Sequence, residues 1–418
     1  MPHRDVRRHV GAVVAAATSA LLLGPVMRGQ NADELIELEH PAIAYTGPAV
    51  HNPVARLSDR VASGQVTLRL DEGSGYLRSV LAALDVPVES QIAVFSRASL
   101  QARIIRPDNP RAIFFNDAVA VAWVRGGFVE IAAQDAEKGA VFFRVMQTPG
   151  VPTFFRDNSC LGCHNGATTL GIPGFIARSV PSASDGSIMP WLGNHIVDHR
   201  TPVADRWGGM YVTGRTGAAT HLGNAPLANK RLQTLGAADR GPVLDTLQGR
   251  FDSYAYLSPH SDVVALLIFD HQVHMMNLLS RLGAEARLVA ADDRAAATRL
   301  ERAVTEVVDY MLFVDEARLS GASGTSGFAK VFSARGPRDS KGRSLRDLDL
   351  RARLMRYPCS YMIYSETFDG LPPKAKAGVF ARLKRILNGQ ETGRRYASLS
   401  AADRTAVLEI LRETKRDF

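Results

Sequence analysis

Cys160-Leu161-Gly162-Cys163-His164 constrains this chain more than any other stretch. Two thiols three positions apart fall on one side of a single backbone turn, and a histidine follows at once. That is the attachment pattern of a c-type haem, in which each thiol forms a thioether with a vinyl group and the imidazole becomes the proximal iron ligand. The expectation is one covalent haem, with Cys160 and Cys163 as thioether residues and His164 on the iron. A tetrahedral zinc site would want a second ligand pair, and Cys359 is the only other cysteine. A thiol-exchange pair uses the same spacing and stays open as an alternative. With two cysteines at the motif, Cys359 has no intrachain partner, so a disulfide framework is excluded.

The chain has 418 residues, two or three domain lengths. It is 46% hydrophobic and 22% charged, enough for a large core and against wholesale disorder. The formal net charge of +8 is partly carried by Arg4, Arg7, Arg8 and Arg28. The remainder is mildly basic, which suits an acidic redox partner or a membrane surface and does not argue for nucleic acid. Residues 1–30 read as an export signal: a basic start, an apolar run over 10–23, then Gly24-Pro25. No good small-x-small cleavage site follows, so retention as an N-terminal membrane anchor is the second reading. Export, to the periplasm or beyond, agrees with a covalent haem.

The expected fold class is α+β: a mainly antiparallel β domain, a loop-rich haem segment and a helical C-terminal region. The boundaries are 31–147, 148–232 and 233–418. In the first region 66–70 alternates like a strand and 77–84 looks like a short helix. Strands are expected at 92–95, 112–115, 119–124, 129–132 and 141–145, separated by turn residues. Residues 148–230 are rich in Gly and Pro. Helices are expected over 261–282, ended by Gly283, and over 298–319, 375–387 and 401–413, the last with a Ser400/Asp403 capping box. Residues 320–341 read as a Gly/Ser loop running into a basic stretch that extends to Arg346.

The sixth iron position decides between carrier and catalyst. Downstream candidates are Met189, His195, His199, Met210, His221, His271 and His274. On the 261–282 helix His271 shares a face with Val264, Leu267, Ile268, His274, Met275 and Leu278. A rigid element holds a ligand better than a loop, so His271 is the first distal candidate and His221 the second. Arg178, Arg200 and above all Arg206 are candidate partners of the haem propionates. Pro173, nine residues after His164, is a candidate for the carbonyl that orients the proximal ring.

Five segments together resemble a group of exported bacterial cytochrome c domain-containing proteins, an uncharacterised mono-haem family. They are the motif, Arg206-Trp207-Gly208-Gly209-Met210-Tyr211-Val212-Thr213-Gly214, Ser261-Asp262-Val263-Val264-Ala265-Leu266, Asp270-His271-Gln272 and Tyr357-Pro358-Cys359-Ser360-Tyr361. The resemblance spans most of 40–418 and implies covalent haem c and export, with no particular reaction. It also implies Trp where this chain has Met210, which counts against Met210 as a ligand. The expected function is electron transfer with a redox partner protein or a small-molecule donor or acceptor. The alternative is a haem-dependent oxidoreductase, peroxidase-like, or a haem-based sensor with an open sixth position.

Overall fold

A computed structural model describes residues 35–289 and 294–418. The export or anchor segment, 1–30, lies outside the described residues. The architecture is α+β, with an antiparallel sheet in the N-terminal half and helices in the C-terminal part.

The first element is α1 (Pro53–Ala62), where the sequence analysis places no element. Its start is locally encoded: the Asn52 side chain accepts from Val54 N and Ala55 N, and Pro53 holds the first helical position. The alternating stretch 66–70 is not a strand. Its backbone is bonded instead by the Ser79 hydroxyl of α2 (Leu77–Ala83), which takes Arg69 N and gives to Arg69 O.

Strands β1 (Ile92–Val94), β2 (Arg111–Phe115), β3 (Val119–Trp123), β4 (Val129–Asp135), β5 (Gly139–Val145) and β6 (Phe154–Arg156) follow as consecutive antiparallel neighbours. The motif helix α3 (Leu161–His164) leaves β6 through one tight turn. Two short pairs come next: β7 (Arg178–Ser179) with β9 (His195–Ile196), and β8 (Ser182–Ala183) with β11 (Pro226–Leu227). Between them β10 (Met210–Tyr211) joins β1 and completes a seven-stranded sheet, β10-β1-β2-β3-β4-β5-β6.

The sheet alternates sides as period-2 geometry requires. One face, with Ala112, Phe114, Val121, Ile131, Val141 and Val145, closes a core with α1 and α2. The other, with Val94, Phe115, Ala140 and Phe142, meets α4 (Val263–Leu288). That helix is capped by Asp262, whose carboxylate accepts from Val264 N. It runs past Gly283, which lies against the Ala136 carbonyl and Leu371 instead of ending it. It is the one helix among the described residues long and apolar enough to cross a membrane, and it is almost entirely buried.

Helices α5 (Arg294–Met311), α6 (Phe328–Ala334), α7 (Glu366–Asp369), α8 (Pro373–Leu387) and α9 (Ala401–Thr414) pack beyond it. Left-handed Phe313 (φ 56°) and Asp315 (φ 61°) follow the end of α5, well short of residue 319. The expected capping box of α9 is present, with Ser400 and Asp403 bonding each other's backbone amides. Helix α6 lies inside the stretch read as loop, anchored by buried Phe328 and Phe332. Residues 35–418 form one compact unit. The described residues of the expected segments 31–147, 148–232 and 233–418 share its sheet and core, since 148–232 supplies β10 and 233–418 supplies α4.

Candidate functional site

The motif is held at a fixed place on the sheet by Asp157. Its backbone N–H donates to Phe142 O at 2.9 Å, and its carboxylate accepts from Ser159 N and Ser159 Oγ. Arg144 Nε lies 3.4 Å from the same carboxylate. This turn leads straight into Cys160, which is half-buried, and Cys163, which is exposed. Neither is in a disulfide. Burial, with Asp157 and Glu130 nearby, pushes the Cys160 thiol up to about 12. That is the opposite of what a thiol-exchange nucleophile needs. Among the described residues no three His, Cys, Asp or Glu side chains converge to hold a bare metal ion.

The His164 ring packs on Phe142 with centroids 4.8 Å apart. Its Nδ1 lies 2.9 Å from Gly174 O, and Gly174 N donates back to His164 O at 2.9 Å. Burial lowers the ring's proton affinity below its usual value, so the imidazole is neutral at pH 7. Nδ1 then carries the proton for the Gly174 carbonyl, and Nε2 keeps a lone pair, the tautomer an iron ligand requires.

The sequence had pointed to Pro173 for this carbonyl, one residue too early. Pro173 O accepts from Ala140 N at 2.9 Å instead, so it ties the loop to β5. Gly174 is set by Asn277 of α4. Asn277 Oδ1 accepts from Phe175 N and Asn277 Nδ2 donates to Phe175 O, both at 2.8 Å. The fit is close: a Cβ on Gly174 would lie 2.5 Å from Asn277 Oδ1. No local sequence signal marks Asn277.

Beside His164 the sheet presents two rows of cross-strand neighbours. One runs Ile113, Ala122, Glu130, Arg144, Phe155; the other runs Phe115, Ala120, Ala132, Phe142. Three alanines put only methyl groups on the central strands. Ile113, Ala120 and Ala132 are half-buried although they sit in the middle of a seven-stranded sheet. At the rim Arg111 Nη1 bonds Glu130 Oε2 at 3.3 Å, while the buried Arg111 Nε has no partner. These are groups that suit a flat apolar ring system bearing carboxylates: methyl groups, an unmatched guanidinium N–H at the edge, two thiols and an oriented imidazole alongside. Gly162 adds no bulk between the thiols, and open space lies where its Cβ would be.

The other expected site residues come together elsewhere. His271 is fully buried on α4, with Nδ1 2.8 Å from His199 Nδ1 and Nε2 2.7 Å from Ser360 Oγ. Its ring stacks near-parallel with Tyr310 and Phe313. Both ring nitrogens are therefore held inside the protein, and the distal role expected of His271 gives way to that of a bonded core histidine.

Arg206 is likewise not available to a propionate. It is 1% exposed, donates to Thr201 O and His199 O, and pairs with Asp270 at 3.3 Å. Trp207 Nε1 donates to the same carboxylate, and the Trp207 and His221 rings meet in a T-shaped contact. His221 Nδ1 accepts from Gly223 N, and burial pushes its ring down to about 4. None of the hydrogen bonds or ring contacts of Arg206, His221 and His271 reaches the motif. Met189 is buried in a separate small cluster. Met210 is the sulfur candidate carried by the sheet: it pairs with Val94, which pairs with Arg111, so the three share a face.

No family model, no curated protein and no solved structure matches this chain.

Proposed function

We propose that the chain is an exported c-type cytochrome that carries one covalent haem through Cys160 and Cys163, with His164 on the iron, and that it transfers electrons. One observation carries the reading. His164 follows the two thiols and has its Nδ1 committed to Gly174 O, which leaves Nε2 as the free donor atom. The group would supply a one-electron couple. The protein's part is to fix the imidazole's tautomer and tilt, and to cover one side of the ring system with the alanine rows. Surface access fits a carrier: Cys163 is exposed, and Phe155 and Val151 nearby in the chain are 51% and 76% exposed. A redox protein or a small donor or acceptor could approach there. The motif, the export-like N-terminus and the resemblance to exported mono-haem proteins agree with one another.

A second reading is favoured by a separate observation. Both ring nitrogens of His271 have protein partners, and His221 Nδ1 accepts from Gly223 N, which puts that ring's proton on Nε2 and leaves no lone pair there, so neither is poised as sixth ligand. An open sixth position would make the chain a haem-dependent oxidoreductase or a sensor.

The test uses the full chain expressed with a haem-maturation system. Haem should survive acid–acetone extraction in the natural chain and be lost in Cys160→Ala/Cys163→Ala. Covalent haem in the double variant sinks the assignment. The ferrous spectrum then separates the readings, since a six-coordinate low-spin iron supports the carrier and ready CO binding supports the open site.

A further inference from the structure

We propose that Arg111 is the cation that binds a haem carboxylate, with Glu130 as its counter-charge. This rests on the haem reading above and adds to it a residue that the sequence did not single out.

Arg111 opens β2, on the same sheet face as Phe142, the residue that touches the His164 ring. The side chains of Arg111 and Glu130 are only 18% and 19% exposed. Glu130 takes one guanidinium N–H, at 3.3 Å, and also accepts from Ser99 Oγ. The Nε–H of Arg111 is buried and bonded to nothing. A buried donor without an acceptor is costly, and the cost falls when an acceptor arrives.

The fork of a guanidinium suits a carboxylate, which can take Nε–H and an Nη–H together. Glu130 lies on the same sheet face as Arg111 and Phe142, so the pair shares the surface on which the His164 ring packs. The other arginines are less suited. Arg206 has its donors inside the core, and Arg144 is 44% exposed with Nε beside Asp157. Glu130 keeps the guanidinium from being an uncompensated buried charge.

A cation beside the ring system favours the reduced state, because reduction removes one positive charge from the iron. The experiment compares the full-length haem-loaded chain with Arg111→Gln and Arg111→Lys. It reads covalent haem per chain, midpoint potential, and the propionate-bending bands in the resonance Raman spectrum. Arg111→Gln should keep its covalent haem and shift the redox equilibrium about tenfold toward the oxidised form, ~59 mV lower. Arg111→Lys keeps the charge but not the fork. It should stay within about twofold of the natural equilibrium while its propionate bands move.

Covalent haem with potential and bands unchanged in Arg111→Gln overturns the role of Arg111 and leaves the haem reading standing. If Arg111→Gln does not fold, the Raman bands of Arg111→Lys decide, and unmoved bands overturn it. Absence of covalent haem in the natural chain removes the haem reading itself, a result that cannot be confused with either.

Discussion

His164 and Gly174 are bonded to each other twice, side chain to backbone and backbone to backbone, both at 2.9 Å. The second bond fixes the distance between the two backbone segments, and the first uses that distance to set the ring. An imidazole held this way cannot turn about its Cβ–Cγ bond without losing a hydrogen bond.

On the proposed haem reading, replacing His164 by Ala should therefore remove the axial nitrogen and leave the thioethers intact. Haem should still run with the denatured chain on a gel, while the Soret and α bands of the folded protein shift. Unchanged bands would remove His164 from the iron.

Asn277→Ala should loosen the same structure from the other side. It leaves the N–H and C=O of Phe175 buried and unmatched, at a cost of about 2–4 kcal/mol. Urea unfolding at neutral pH measures it. A loss below about 0.5 kcal/mol would mean that water replaces the amide freely and that α4 does not hold the loop.

For His271→Ala the expected result is a stability loss of about 2–4 kcal/mol with no change in iron spin state. The variant opens a cavity between Tyr310 and Phe313 and strips a partner from His199 and from Ser360. Conversion of a low-spin iron to high-spin would restore His271 as a ligand.

Stability should fall as the pH is lowered from 7 toward 4. Unfolded, a histidine takes up its proton near 6.5. Burial holds His271 down to about 3 and His274 and His221 down to about 4, with His199 also lowered. Between those limits the unfolded chain binds more protons at these sites, so acid favours unfolding. Burial raises Asp270 and Glu316 to about 7, which opposes the trend over the same window, but two carboxyls stand against four rings. Urea midpoints at pH 7, 5.5 and 4.5 should decrease in that order; equal midpoints would show that these rings are solvated.

What the sequence revealed follows from how local each feature is. Strands β1 to β5 and the core of α4 show in apolar runs because each buries side chains with a period set by its own backbone. The motif is legible because its chemistry lies within five residues. The start of α1 was also locally written, in Asn52 and Pro53, and could have been found. The stretch 66–70 misled because alternation implies a strand only if a neighbouring strand is there to pair, and Ser79 took that place. The buried stripe on α4 was right, but which partner each stripe residue meets depends on Ser360, His199 and Asn116, supplied from distant segments. Arg111 could not stand out, since its meaning lies in an unmatched Nε that only packing reveals.

The clasp between Asn277 and Phe175 joins positions 102 residues apart. The orientation of the His164 ring is thus a property of the finished chain and not of the pentapeptide that contains it. A nascent chain emerging in sequence order presents both thiols and the imidazole long before α4 exists to align them. On the proposed haem reading, His164 would take its final tilt toward the iron only once α4 has packed against the loop. The tilt of one imidazole is in this way tied to an asparagine 113 residues further along the chain.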